Sequence, residues 1–287
     1  MTGAFGPRTP VGLIAGAGRF PVVFAEKARA AGIPVVCVGI AGMADPVLKE
    51  ICPDFRWLRR MSIGFCIRSF QRGGATRWTM AGKLHKHLLL RPWRWLQLVP
   101  DYRALRLWYV RNKTDRRDDS LLLALIDEFR SAGLECASAL DLVPELLVKP
   151  GVLTKRPPST RESEDIAFGW PLAKELGRLD IGQSVMVREK AILAVEAIEG
   201  TDQAILRAGE LCGRNQFVVV KVAKPRQDMR FDVPTVGSTT IEVMRQAGAT
   251  VLAIEAGRTI FLDEAATIGL ADKYGITITA VADAAGG

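Results

Sequence analysis

Val11-Gly12-Leu13-Ile14-Ala15 runs without a charge into Gly16-Ala17-Gly18-Arg19-Phe20-Pro21. The first five residues suit a buried strand, and the glycines after them suit a tight turn into a helix over 21–31. Gly32 closes that helix. Residues 34–40, centred on Val35-Val36-Cys37-Val38, read as a second strand in which Cys37 is a small buried hydrophobe. Strand, glycine-rich turn, helix, strand is a βαβ unit, and it predicts a Rossmann-like parallel sheet for the N-terminal part.

Working outward, residues 76–82 read as a further strand ending at Met80-Ala81-Gly82. Asp118-Asp119 caps a helix whose Leu121, Leu122, Leu125, Ile126 and Phe129 share a face, and Gly133 ends it. A second unit begins near residue 136. Gly151 to Pro158 reads as a loop, and Ser159 or Thr160 starts a helix to Leu176-Gly177. Residues 184–188 and 191–197 form a hairpin around Glu189-Lys190. Helix over 201–211 and strand over 217–223 follow. Ser238 caps a helix to Gly248, and strands over 250–254 and 259–262 flank a tight connection at Glu255-Ala256-Gly257-Arg258. Asp263 starts the last helix, and residues 276–281 are the final strand. The prediction is α/β throughout: a Rossmann-like nucleotide-binding domain over 8–135 and a catalytic, lipid-sugar-binding domain over 136–282 with a mixed sheet.

The chain length of 287 residues suits two such domains. A hydrophobic fraction of 48% with 24% charged residues is ordinary for a soluble globular protein. No apolar run approaches the roughly 18 residues of a membrane span. The first ten residues do not read as a signal peptide, so a cytoplasmic location is expected. The five cysteines are widely spaced and include no CxxC pair, which argues against a disulfide framework or a zinc site. The net charge of +8 is uneven: between Arg56 and Arg117 there are 16 Lys or Arg against two acids, and four of the six tryptophans lie between Trp78 and Trp108. Such a surface attracts anions, whether a phosphorylated ligand, nucleic acid or an acidic membrane face.

Several segments could carry chemistry. The turn Gly16-Ala17-Gly18 opens a helix and would let backbone N–H groups approach a phosphate. It is neither a complete GxGxxG, since position 21 is Pro, nor a Walker A motif. The richest segment, Lys221 to Gly237, follows a strand and holds Lys221, Lys224, Arg226, Arg230, Asp228 and Asp232. Cations there suit diphosphate oxygens, and a carboxylate can hold Mg²⁺ or orient a water. Glu196-Ala197-Ile198-Glu199-Gly200-Thr201-Asp202 also follows a strand. Thr201 or Asp202 suits a helix cap, and Glu196 and Glu199 are surplus acids suited to a metal or to sugar hydroxyls. His85 and His87 are the only histidines, which excludes a multi-histidine metal site, and no GxSxG elbow supports a serine triad.

In order along the chain, Leu13 to Pro21, Met80-Ala81-Gly82-Lys83, Asp118 to Leu122, Gly151-Val152-Leu153-Thr154, Leu179 to Gln183, Val195 to Asp202, Ala223-Lys224-Pro225, Asp232-Val233-Pro234-Thr235-Val236-Gly237 and Glu255-Ala256-Gly257 form a set that resembles the LpxI-type UDP-2,3-diacylglucosamine pyrophosphatases of lipid A synthesis. The resemblance implies two domains and Mg²⁺-dependent hydrolysis of UDP-2,3-diacylglucosamine to 2,3-diacylglucosamine 1-phosphate and UMP. It implies Asp232 as the essential aspartate, either as a Mg²⁺ ligand or as the group that orients water, with Glu196 and Glu199 as further metal candidates. Substrate contacts fall in the first half on Gly16, Ala17, Gly18, Gly82 and Lys83. In the second half they fall on Lys155, Gln183, Gly200, Thr201, Asp202, Lys221, Lys224, Arg230 and Thr235.

The stretch from His85 to Arg117 departs from the family pattern by being more basic and richer in Trp. It suits docking on an anionic bilayer at the inner face of the membrane, where the substrate's acyl chains reside. Two other readings compete: a nucleotide-binding oxidoreductase or nucleotide-sugar enzyme built on the βαβ opening, and a nucleic-acid binder using the basic stretch. A clear ribose-binding acid after the second strand is missing for the first, and the acidic motifs of the second half are unexplained by the other.

Overall fold

The computed structural model describes residues 9–60, 62–82, 101–103, 118–213, 215–225 and 233–282, with the backbone alone at 118–121. Two compact units follow one another, Met1–Pro144 and Glu145–Gly287.

In the first unit the elements are β1 (Val11–Ala15), α1 (Phe20–Ala30), β2 (Val35–Ile40), α2 (Leu48–Ile51), β3 (Asp54–Leu58), α3 (Ile63–Arg72), β4 (Arg77–Ala81), α4 (Asp118–Ser131) and β5 (Glu135–Cys136). The strands form one sheet in the order β3-β2-β1-β4-β5. Every pairing in it is parallel. The uncharged run that predicted β1 is buried along its whole length, as a strand covered on both faces must be. Gly12 allows this: a Cβ there would lie 2.7 Å from the Phe70 ring, so only glycine lets α3 settle on the strand. Trp78 of β4 is wholly buried and stacks on Phe129 of α4, ring centroids 4.0 Å apart. This tryptophan of the Trp-rich stretch is therefore core. Cys37 is also wholly buried, as expected. Its thiol shares a hydrogen bond with Cys52, and that bond together with burial pushes the Cys37 thiol upward, keeping it protonated.

β3, α2 and α3 lie in a stretch whose pattern assigns no element by itself. β3 carries charges and is half-buried along its length, as an edge strand is. The start of α3 does carry a local signal, since Ser62 Oγ accepts a hydrogen bond from Phe65 N at 3.1 Å. The division between units falls after Pro144, beyond the boundary at 135 read from the sequence. The reason is that β5 pairs with β4. Ala137 N then donates to Trp78 O at 2.9 Å, and Ala139 joins the first core.

The second unit contains β6 (Gly151–Val152), α5 (Thr160–Arg178), β7 (Ser184–Arg188), β8 (Ala191–Val195), α6 (Thr201–Leu211), β9 (Phe217–Lys221), β10 (Thr235–Val236), α7 (Ser238–Ala247), β11 (Ala249–Glu255), β12 (Ile260–Phe261), α8 (Glu264–Tyr274) and β13 (Thr277–Val281). Its main sheet has the order β6-β13-β11-β9-β7-β8. The three central strands are parallel and the flanking ones antiparallel to their neighbours, which is the mixed sheet expected. Successive residues of β9 feed opposite faces. Phe217 and Val219 join a core with residues of α6, α7 and α8, while Val218 and Val220 join one with Ile166 and Ala173 of α5.

The hairpin turn is placed as predicted. Glu189 and Lys190 both adopt left-handed φ, 51° and 58°, as a two-residue hairpin turn needs. Neither is glycine, and the conformation is held by Asp165 of α5, whose carboxylate accepts from Glu189 N at 3.0 Å and Lys190 N at 2.7 Å. One expectation is corrected. Ser238 is not a cap: Gly237 holds that position, and Ser238 Oγ lies 3.2 Å from Thr267 Oγ1 instead. Of the strands either side of Glu255-Ala256-Gly257-Arg258, β12 pairs in parallel with β10. Among the described residues, no helix is long and apolar enough to cross a membrane.

α5 opens with a capping box. Ser159 Oγ accepts from Glu162 N at 3.3 Å, and Glu162 Oε2 accepts from Ser159 N at 2.8 Å. The same carboxylate takes both guanidinium nitrogens of Arg156 at 2.9 Å and the Thr250 hydroxyl at 2.9 Å. Burial works against its charge, but the Arg156 guanidinium and the Ser159 and Thr250 donors overcome it and hold the carboxyl down to about 2, from an ordinary 4.5. A carboxyl depressed in the folded state stabilises it fully above its unfolded value, and that stabilisation is lost as pH falls through the folded one. Glu162→Gln should therefore lower unfolding free energy near neutral pH by about 1–2 kcal/mol. In urea titrations the gap to wild type should close as pH falls from about 4.5 towards 2; a gap constant over that window contradicts this role.

Candidate functional site

In the second unit the parallel strands β9 and β11 end side by side, with Lys221 opposite Ile254 and Glu255 next along. β7 runs antiparallel to β9 and begins at the same edge, with Ser184 opposite Lys221. β8 turns back antiparallel to β7 and ends there too. This carboxyl edge is where open α/β sheets bind ligands, because the loops that leave it are free to diverge.

Four side chains from four elements meet at the edge. Ser184 Oγ donates to Glu196 Oε2 at 2.5 Å, and Thr201 Oγ1 donates to Glu196 Oε1 at 3.1 Å. Lys221 Nζ donates to Thr201 Oγ1 at 3.2 Å and to the Thr235 carbonyl at 3.3 Å. Glu196 is 8% exposed and Lys221 6%, values that for charged residues demand partners. Backbone geometry tightens the group. A Cβ on Gly182 would lie 2.0 Å from Glu196 O, so the 179–183 motif is pressed against the Glu196 backbone. Gly200, at φ 85°, turns the chain into α6 so that Thr201 occupies its first position. Asp202 lies in the same first turn. Gln183 precedes Ser184, and its Oε1 is buried with no hydrogen-bond partner among the described residues.

A second knot of charge sits at the same edge. Glu255 is fully buried and accepts from Lys174 Nζ at 2.7 Å and from Ala223 N at 2.7 Å. Arg258 Nη1 stands 3.8 Å from it. Lys224 Nζ pairs with Asp180.

In the first unit, Gly16, Ala17, Gly18 and Gly82 are also brought together. Gly16 N donates to Ala81 O at 2.8 Å. A Cβ on Gly82, whose φ is 92°, would lie 2.7 Å from Ala17 O. They lie where β1 and β4 end side by side, the point from which the sheet is extended in both directions and where such folds leave a crevice.

Other residues read from the sequence fall elsewhere. Glu199 is taken by Arg207, whose Nη2 donates to it at 2.6 Å and to Val195 O at 2.7 Å. Lys155 lies at the opposite edge of its sheet. The neighbouring Arg156 carbonyl accepts from Thr277, the first residue of β13, and Lys155 lines a groove of about 370 Å³ with Arg156, Asp272 and Lys273. Lys83, Asp228, Arg230 and Asp232 lie outside the described residues, as does all of 85–100 and 104–117 in the basic stretch. Among the described residues no group of three His, Cys, Asp or Glu could hold a metal ion. The carboxylates of Glu196 and Glu199 are each engaged by protein donors. Ser184 is missing from the residues picked out by sequence, and Glu255 appears there only within Glu255-Ala256-Gly257, with no role given. The signal for Glu255 was an acid ending an otherwise apolar strand; Ser184 gave none.

A family model described as the LpxI N-terminal domain matches residues 10–146, and one described as the LpxI C-terminal domain matches residues 149–279. The chain belongs to the LpxI family. It is 33% identical over 279 residues to a protein of Caulobacter vibrioides named UDP-2,3-diacylglucosamine pyrophosphatase LpxI, an alignment covering 94% of this chain and 97% of the relative. The motif set quoted from the sequence thus runs through both LpxI domains, and the carboxyl-edge cluster lies wholly in the C-terminal one.

Ser184→Ala removes the shorter of the two bonds to Glu196 and leaves a buried oxygen one donor short. It should lower the unfolding free energy by about 1–3 kcal/mol. Denaturant titration checks it, and an unchanged midpoint would show that Glu196 needs no such partner.

Proposed function

We propose that this LpxI-family chain is a UDP-2,3-diacylglucosamine pyrophosphatase, hydrolysing its substrate to 2,3-diacylglucosamine 1-phosphate and UMP. The observation that carries the reading is the likeness, through both units, to a protein named for that activity. The family match spans the whole fold, whereas the oxidoreductase reading drew on the βαβ opening alone and the nucleic-acid reading on the basic stretch alone.

Chemically, water attacks the phosphorus on the sugar side. A new P–O bond forms there, the bond from that phosphorus to the bridging oxygen breaks, and the bridging oxygen leaves with UMP. The diphosphate is anionic and attack on it gathers more negative charge. Lys221 and Lys224 supply ammonium groups at one sheet edge, and preorganised cations of this kind act most strongly where water is excluded. Thr201 accepts from Lys221 and donates to Glu196, which orients the ammonium. Asp232, with Arg230 two residues earlier, is proposed as the essential carboxylate that orients water or meets the metal.

Mg²⁺ is proposed as the required ion. It characteristically takes one or two carboxylates and completes its shell with water and substrate phosphates. That suits a protein whose described residues build no metal cage of their own, with the ion arriving on the diphosphate. When bound it would neutralise charge on the phosphate oxygens. The cytoplasmic side of the membrane is the proposed location, with the basic, Trp-rich segment over 84–117 resting on anionic lipid. Vesicles of anionic lipid should bind the protein at low salt and release it at high salt; absence of binding at every salt concentration removes that contact.

The deciding experiment is incubation with UDP-2,3-diacylglucosamine and Mg²⁺, with and without chelator, followed by product analysis. Wild type should release UMP, and chelation should abolish the release. Asp232→Ala should stay folded and lose turnover by about 10²-fold or more. Near-normal turnover in that variant would remove Asp232 from the chemistry.

A further inference from the structure

Glu255 ends β11 with its carboxylate wholly buried. A buried acid is costly unless paired, and an apolar residue with its partners replaced to match is often no less stable. Its presence therefore asks what the charge accomplishes. Hydrogen bonding along β9 supplies the answer. β9 pairs with β7 as far as Lys221 opposite Ser184, and Val222 N still reaches Gln183 O at 3.0 Å. One residue later Ala223 N turns to Glu255 instead, donating to Oε2 at 2.7 Å. The other oxygen, Oε1, takes Lys174 Nζ from α5 at 2.7 Å.

The seat around this exit is narrow. Gly177 of α5 lies so close that a Cβ there would stand 3.2 Å from Lys224 Cα and 3.3 Å from Pro225 Cδ. Arg258 reaches the same place, with Nη2 3.4 Å from the Lys224 carbonyl. Two cations from separate elements thus balance one carboxylate, and that carboxylate grips the backbone where the chain turns away from the sheet.

We infer that Glu255 is a positioning residue that fixes the Ala223–Lys224 exit from β9, and so sets the base from which the Lys224 ammonium, paired with Asp180 in the free protein, swings to the substrate diphosphate. The inference rests on the hydrolase reading for what Lys224 meets, and on the geometry alone for what Glu255 holds. Glu255→Gln gives up the charge that draws in Lys174 and Arg258, and it replaces the charge-assisted bond from Ala223 N with a weaker one to a neutral amide oxygen.

The test is a double-mutant cycle on release of UMP from UDP-2,3-diacylglucosamine, with Mg²⁺, in the full chain. Wild type, Glu255→Gln, Lys224→Ala and the double variant are compared, beside amide hydrogen exchange over residues 217–225. Glu255→Gln should lower kcat/KM about tenfold or more and quicken exchange at Ala223. In the Lys224→Ala background the same change should cost nothing further, because its effect passes through Lys224. Losses that multiply in the double variant, or a Glu255→Gln protein as active as wild type, overturn the inference. Should Glu255→Gln fail to fold, Lys174→Met takes its place in the cycle with the same expectations. A wild type inactive on UDP-2,3-diacylglucosamine overturns the hydrolase reading instead, and unaltered exchange at Ala223 in the variant overturns the anchoring itself.

Discussion

A lysine and a glutamate buried at one sheet edge must replace the water they have lost, and the second unit solves that with two hydroxyls. Glu196 takes one from Ser184 and one from Thr201, and Thr201 takes the Lys221 ammonium in turn. The Thr201 hydroxyl thus stands between the Lys221 ammonium and the Glu196 carboxylate. The arrangement requires β7, β8, β9 and the start of α6 to converge, so the whole sheet order stands behind it.

The two units reach their candidate binding edges by the same reasoning and different means. In the first, all strands run parallel, and the turn at Gly16-Ala17 meets Gly82 so closely that no side chain fits at position 82. Backbone N–H groups are then the natural contacts, which suits phosphate. In the second, a mixed sheet brings strand starts and strand ends to one edge, and side chains do the work. Ser184 begins a strand, Glu196 follows the end of one, and Lys221 is the end of another.

Much of this was legible in the amino-acid order because the relevant signals were local. β1 declares itself by an uninterrupted apolar run, α5 by Ser159 or Thr160 at its start, and the hairpin by its two-residue turn. The motif set led to the family that both domain matches bear out. Where the signal is non-local, the linear sequence does not show the partner. The domain boundary was set early because β5 is two residues long and its allegiance lies in pairing with Trp78. Ser238 looked like a cap, but its hydroxyl turned to Thr267 on another helix. Glu199, read as a metal candidate, carries an ion pair to Arg207 about two turns along α6. Lys155, read as a substrate contact just after Gly151-Val152-Leu153-Thr154, emerges at the far edge of the sheet. In each case the competing partner was far off in sequence or on a helix face that a linear reading does not compare.

Asp165 shows how such distant partners shape what a sequence is free to change. It grips both N–H groups of the turn between β7 and β8 from a helix more than twenty residues earlier. With the turn's N–H groups held by Asp165, positions 189 and 190 are limited chiefly by their left-handed φ. The burden of keeping the register has passed upstream, to a residue that a comparison of loops alone would class as ordinary helix surface. In divergent relatives the trace of this hairpin is then best sought in the helix, as an acid retained there while the loop it governs becomes unrecognisable.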